Sequence, residues 1–94
     1  MTATMSVTIV AADHPIWSGQ ARSVTIPAAE GGMGILPDHE PVLTLIRKGT
    51  VSVIEPDGAR RSFDVGDGFI SFDSNRLTAA VDRGQASAGA AAEG

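Results

Sequence analysis

No cysteine occurs anywhere in the 94 residues. That removes disulfide frameworks, thiolate nucleophiles and cysteine-type zinc sites from consideration. Histidine is nearly as scarce, with only His14 and His39. A metal centre wants three or four convergent ligands. The adjacent pairs Asp13-His14 and His39-Glu40 would point to opposite faces of a strand. The expectation is therefore no metal and no cofactor, with His14 a turn residue and His39 a packed or interface side chain. Positive charge is short too: seven lysines and arginines against eleven acids leave a net charge of −4. Such a balance argues against non-specific nucleic-acid binding. No apolar run approaches the roughly 20 residues a helix needs to span a bilayer. Met1–Ser6 also lacks the basic stretch followed by an apolar one that marks a signal peptide. Any work at a membrane is expected to run through another protein.

Catalytic signatures are missing as well. Ser18-Gly19 lies in no Gly-x-Ser-x-Gly setting, and no strand–turn–helix pattern exists to hold a nucleophile elbow. Gly31-Gly32-Met33-Gly34 superficially resembles a phosphate-cradling loop, but neither Lys-Ser/Thr nor a helix start follows it. Arg47-Lys48 and Arg60-Arg61 are short basic pairs set among acids, which reads as solvated surface. Trp17 suits either a core staple or, if partly exposed, an interface anchor.

What the chain does have is period-two patterning. Ser6–Ala11, Arg22–Ile26, Thr50–Ile54 and Arg61–Val65 alternate apolar and polar residues, as half-buried strands do. Val42–Ile46 is a continuous apolar strand, and Phe69–Phe72 and Leu77–Val81 follow. Turn chemistry separates these runs: Asp13-His14-Pro15, Lys48-Gly49, Glu55-Pro56-Asp57-Gly58, Gly66-Asp67-Gly68 and Asp73-Ser74-Asn75. Pro27 is expected to force a strand edge or end. Seven or more short strands at this spacing predict an all-β sandwich or barrel in a single domain. No window sustains helical periodicity. From Gly84 onward no side chain beyond Gln85 and Glu93 exceeds serine in size, so residues 84–94 are expected to form a disordered tail after a domain spanning 1–83.

Glu30–Pro41 is the most shaped stretch, with three of the eleven glycines and two of the five prolines. Gly31, Gly32 and Gly34 open backbone shapes closed to other residues, while Pro37 and Pro41 fix φ and push Leu36 and Glu40 towards extension. Gly34, Pro37 and Pro41 are thus expected to build a rigid structural turn. Composition and pattern alone support a small β domain that binds something. Two readings remain open: a non-catalytic subunit of a larger machine, or a free-standing small β-sandwich binding module of unknown ligand.

Glu30-Gly31-x-x-Gly34-Ile35-Leu36-Pro37-x-His39-x-Pro41, followed by Val42–Ile46, resembles the N-terminal domain of the epsilon subunit of rotary F-type ATP synthases. Ile16-Trp17-Ser18-Gly19 resembles the family's apolar-aromatic-Ser-Gly turn. Gly68–Phe72 and Leu77–Asp82 resemble its final hairpin, so the similarity runs from about Val7 to Asp82. The resemblance implies a flattened β-sandwich of about ten strands on the central stalk, bridging the gamma subunit to the membrane c ring. It implies no catalysis and no bound nucleotide. The role would be rotary coupling of proton transport to ATP synthesis, from a peripheral position on the cytoplasmic face of the bacterial plasma membrane. Carried over by motif position, Ala29, Glu30, Gly31, Gly32 and Met33 form the loop facing the c ring. His39, Val42, Leu43 and Thr44 face gamma. Many members carry an acid where this chain has Gly32. Members also commonly continue past Arg83-Gly84-Gln85 into a C-terminal helical hairpin. Gln85–Gly94 offers no apolar stripe to hold two helices together and no Asp-x-x-Arg-Ala sequence for ATP.

Overall fold

Side chains that alternate along the sequence alternate across the sheet. In the computed structural model, which describes residues 3–28 and 31–87, β1 (Met5–Ala11) buries Met5, Val7 and Ile9 while Ser6 and Thr8 stay exposed. The same rule orients β3 (Ser23–Ala28), β6 (Gly49–Ile54), β7 (Arg60–Val65) and β9 (Arg76–Val81). Between them lie β2 (Pro15–Ala21), β4 (Gly31–Ile35), β5 (Val42–Ile46), β8 (Gly68–Asp73) and β10 (Gly84–Ala86). Every regular element among the described residues is a strand. None is a helix long and apolar enough to cross a membrane.

Nine of the ten strands follow one hydrogen-bonded path, β10-β7-β6-β3-β5-β8-β9-β1-β2, and β4 pairs with β3 off that path. The path is antiparallel except where β1 runs parallel to β9. Its weak joint is β3–β5, a single residue pair, Ala28 opposite Ile46. The Arg47 N–H donates to the Pro27 carbonyl beside it at 2.8 Å. A joint this narrow lets the sheet fold over on itself and enclose one core. Phe72, Ile70, Leu77, Val7 and Ile9 meet Val24, Ile26, Val51, Val53 and Ile35 in that core, all at most 1% exposed. No polar or charged residue is buried with them among the described residues. An apolar interior leaves no orphaned polar group to offset its hydrophobic gain.

The two ends of the path, β2 and β10, meet through side chains. The Trp17 ring lies 5.9 Å from the Phe63 ring of β7, tilted by 41°. A Cβ on Gly84 would stand 2.7 Å from Cδ1 of Ile16, so only glycine lets this seam close without a shift. Trp17 is thus half-buried and packed against the core rather than a free anchor.

Three expectations are corrected here. Ile16–Gly19 is not a turn; it lies inside β2, paired with β1 through Ile9 opposite Trp17 and Val7 opposite Gly19. Gly34 is not part of the corner turn either, because it sits in β4 opposite Thr25 with no positive φ. The tail expected from Gly84 begins with a strand: Gly84, Gln85 and Ala86 pair with Val65, Asp64 and Phe63. The Ser87 N–H extends this by donating to the Ser62 carbonyl at 2.9 Å. Backbone groups along the edge of β7 supply the partners, so the segment needs no large side chain to be held. Residues 88–94 of the expected tail lie outside the described residues. β3 continues one residue beyond Pro27, which agrees with proline at a strand end.

Candidate partner-binding face

β5 and β8 break the alternation rule on their outer side. Leu43 is 76% exposed, Leu45 64% and Phe69 48%. Leu45 stands directly opposite Phe69, and Leu43 opposite Ser71. Together with Thr44 the three line one shallow apolar depression on the sheet surface. On neighbouring β9 and β1 the outward positions are Arg76, Thr78, Ser6 and Thr8, with only half-buried Ala80 and Val10 continuing the apolar surface beside Phe69. The apolar area is therefore local to one part of the face. Scattered exposed leucines need no explanation, whereas a cross-strand cluster of large apolar groups marks a contact surface.

The chain reaches β5 through the corner at Leu36–Pro41. Leu36-Pro37-Asp38-His39 closes with the His39 N–H donating to the Leu36 carbonyl at 3.1 Å. Proline at the second position and a positive φ of 67° at Asp38 give it the type II pattern, in an unusual position for aspartate. The His39 ring stands edge-on to the Phe72 ring at 6.0 Å and 89°. Its Nδ1–H donates to the Glu40 carbonyl at 2.7 Å. Leu36 is 59% exposed at the same corner.

Opposite lies the β8–β9 hairpin. Its two central residues, Ser74 and Asn75, have φ of 51° and 60°, the type I′ arrangement that matches strand twist. The Asn75 Oδ1 accepts from the Asp38 N–H at 2.6 Å. Its Nδ2–H donates to Asp38 Oδ1 at 2.9 Å. The Asn75 carbonyl accepts from the Ser6 N–H at 2.8 Å. One side chain therefore ties the corner to a hairpin 37 residues away.

Among the other residues singled out from sequence, Ala29 and Glu30 lie outside the described residues. Gly31, Gly32 and Met33 belong to strand β4, not to a loop, because each pairs with β3. Gly31 and Gly32 are exposed, Met33 packs on the core, and Gly31 carries a φ of 123°. Val42 is half-buried against the core, Leu43 points outward and Thr44 is half-buried. Pro37 is half-buried and Pro41 exposed. Asp13 and His14 converge because residues 12–14 form a bend, where strand neighbours would have pointed to opposite faces, and His14 is a turn residue as expected. The His14 Nδ1–H donates to Asp13 Oδ1 at 2.6 Å, and this bond holds the Asp13 carboxyl below its ordinary value. No three histidine, aspartate or glutamate side chains among the described residues gather as a metal site would require. Sequence reasoning missed Leu45, Phe69 and Asn75. Leu45 carried a signal: an apolar run with leucine at successive outward positions leaves apolar groups in solvent.

Residues 4–86 match the family model described as ATP synthase, Delta/Epsilon chain, beta-sandwich domain. The chain belongs to this family. ATP synthase epsilon chains are 44% identical in Rhodococcus erythropolis over 77 residues, covering 81% of this chain and 63% of the relative. The epsilon chain of Bordetella petrii is 36% identical over 80 residues, covering 85% of this chain and 57% of the relative. This chain thus spans about three fifths of the length of such relatives. Among solved structures, a chain of the Euglena gracilis mitochondrial ATP synthase (OSCP/F1/c-ring) superposes with a TM-score of 0.84. Its identity is 21%, with 89% of this chain and 54% of that chain covered. A chain of the Tetrahymena thermophila central stalk and c-ring gives a TM-score of 0.69 at 15% identity, covering 85% and 64%. At those identities the likeness concerns the fold.

Proposed function

We propose that this chain acts as a non-catalytic central-stalk subunit of an F-type ATP synthase, joining the gamma subunit to the membrane c ring. In that role it turns with both and couples proton transport to ATP synthesis, peripherally at the cytoplasmic side of a bacterial plasma membrane. The observation that carries the reading is the apolar cluster of Leu43, Leu45 and Phe69 beside the stapled corner of His39. Leu43 of this cluster and the neighbouring His39 belong to the set His39, Val42, Leu43 and Thr44 that the epsilon resemblance assigns to gamma, and Leu45 and Phe69 extend that set on the same face. Epsilon-chain relatives cover more than four fifths of this chain, which supports the same reading. The second contact, with the polar loops of the c ring, is assigned to Ala29–Met33 at the other end of the β3–β4 hairpin.

The chemistry of the site fits transmission of force. Among the described residues, a β core with no buried polar or charged residue presents an apolar face, and no three histidine, aspartate or glutamate side chains gather there. Fully burying a leucine or phenylalanine side chain contributes about 1.5–3 kcal/mol. Three that are half to three-quarters exposed leave several kcal/mol available to a partner. Co-purification with tagged gamma subunit and c ring tests the assignment. The parent chain is expected to join both, while Leu43→Glu with Phe69→Asp should abolish gamma binding and leave the melting temperature near that of the parent. Gamma binding unaffected by the double change would refute this use of the face.

A further inference from the structure

We propose that Asn75 is a positioning residue for gamma binding: by clasping Asp38 it holds the Leu36–His39 turn in its binding shape. The inference rests on the reading of the β5–β8 face as the gamma contact. Asp38 adopts a φ of 67°, which aspartate visits only with local support. Asn75 supplies that support twice, accepting from the Asp38 N–H at 2.6 Å and donating to its carboxylate at 2.9 Å. Asn75 is itself fixed. Its own φ of 60° belongs to a two-residue hairpin, and its carbonyl holds the start of β1 through the Ser6 N–H. The turn it supports carries Leu36, exposed to solvent, and His39, whose ring leans on Phe72. Without the clasp, the hydrogen bonds that hold the corner among the described residues are the Leu36–His39 backbone bond and the His39 ring bond to the Glu40 carbonyl. A corner that samples several shapes binds a partner more weakly in proportion to the time spent in the wrong ones. Asn75 thus sets affinity from outside the apolar cluster.

The test uses the full chain, purified gamma subunit, calorimetric titration and proton NMR of the His39 ring. Asn75→Gly keeps the positive φ but removes the amide, so the hairpin stays and the clasp goes. Gamma affinity should fall about tenfold, the scale of one or two lost hydrogen bonds. The His39 ring signals should move while those of Ile9 and Ile70 in the core stay in place. Asn75→Asp sets two carboxylates face to face and should weaken binding further. Adding Asp38→Asn restores a donor–acceptor pair of reversed polarity and should recover most of the affinity. Leu43→Glu is the control for the face itself. If Leu43→Glu weakens binding but Asn75→Gly leaves affinity within twofold of the parent, the positioning role is overturned and the face stands. If the double exchange recovers nothing beyond Asn75→Asp alone, the clasp is also overturned. If Leu43→Glu has no effect, the gamma reading falls and this proposal with it.

Discussion

Replacing Gly68 with alanine tests how tightly neighbouring strands of this fold are locked. A Cβ built on Gly68 would stand 2.0 Å from the Ala80 carbonyl oxygen and 2.7 Å from Cα of Val81, both backbone atoms of β9. Neither can rotate aside as a flexible side chain would. β8 is held between neighbours, with Gly68 opposite Ile46 of β5 on one side and Val81 of β9 on the other. Relief of the clash therefore means moving a strand by more than about 1 Å and disturbing pairing on both sides. Ordinary overpacking costs about 1–3 kcal/mol, and a rigid backbone clash belongs at or above the top of that range. For a domain of this size each kcal/mol lowers the melting temperature by about 4–8 °C, so a fall of about 12 °C or more is expected. Thermal melts followed by far-UV circular dichroism measure it. Gly34→Ala is the counterpart, since Gly34 has nothing within 4 Å of its would-be Cβ and no positive φ. There the change should be neutral or stabilising by up to about 1 kcal/mol, through a less mobile unfolded chain. A Gly68→Ala melt within about 3 °C of the parent, or a Gly34→Ala melt depressed as much, would show that these backbone approaches do not control stability.

Trp17→Ala should destabilise by about 2 kcal/mol, less than the roughly 3–5 kcal/mol for a fully buried large aromatic, because the indole is half-exposed over the β2–β7 seam. Urea unfolding followed by circular dichroism reads it, and a loss under about 0.5 kcal/mol would mean the seam is held elsewhere. Asp64→Ala removes acceptors for the Ser87 hydroxyl at 2.9 Å and the Thr50 hydroxyl at 3.4 Å. Hydrogen exchange at Gly84 and Ser87 should then quicken while β1 and β9 amides keep their protection; uniform quickening would contradict a local role. Asp13 should titrate below the ordinary aspartate value, and His14→Ala should move it back up. A carboxyl whose folded value is depressed contributes stability above its unfolded value and loses it as pH falls through the folded one, so the effect is confined to below about pH 4. Carboxyl titration by NMR decides it, and an Asp13 midpoint indifferent to His14→Ala would remove the bond from the account.

The strands with alternating side chains were legible because burial on one face writes itself into the sequence with period two. Val7, Ile9, Val51, Val53, Leu77 and Ala79 all fall where that pattern puts them. The turn at Glu55–Gly58 was equally readable, with Gly58 at a φ of 95° and its N–H donating to the Glu55 carbonyl at 2.9 Å. β4 and β10 were not legible. Their residues are mostly glycine and alanine, so they exist through backbone pairing with β3 and β7 that no side-chain pattern announces. β2 was obscured because its middle, Ser18-Gly19, carries turn-type residues, although Gly19 is there to let the Trp17 ring lie across it: a Cβ would stand 2.8 Å from that ring. The clasp between Asp38 and Asn75 joins residues 37 apart, and each looked only like turn chemistry in its own segment.

The apolar run Val42–Ile46 links the fold to the function. Read as a strand, it has two faces to account for, and a chain that buries only one normally places polar residues on the other. β1 does so with Ser6 and Thr8, and β9 with Arg76 and Thr78. β5 instead turns Leu43 and Leu45 outward, and β8 sets Phe69 directly across from Leu45. Stability of the isolated domain does not call for this, because threonine at an outward strand position pairs as well and keeps its hydration. The exposed cluster therefore has its rationale outside the domain. The corner beside it carries the same argument, since two unfavourable features, a positive φ at Asp38 and a solvent-facing Leu36, sit where the Asn75 clasp is built to hold them. Local cost gathered on one face of the sandwich is what the proposed docking of another subunit there would call for.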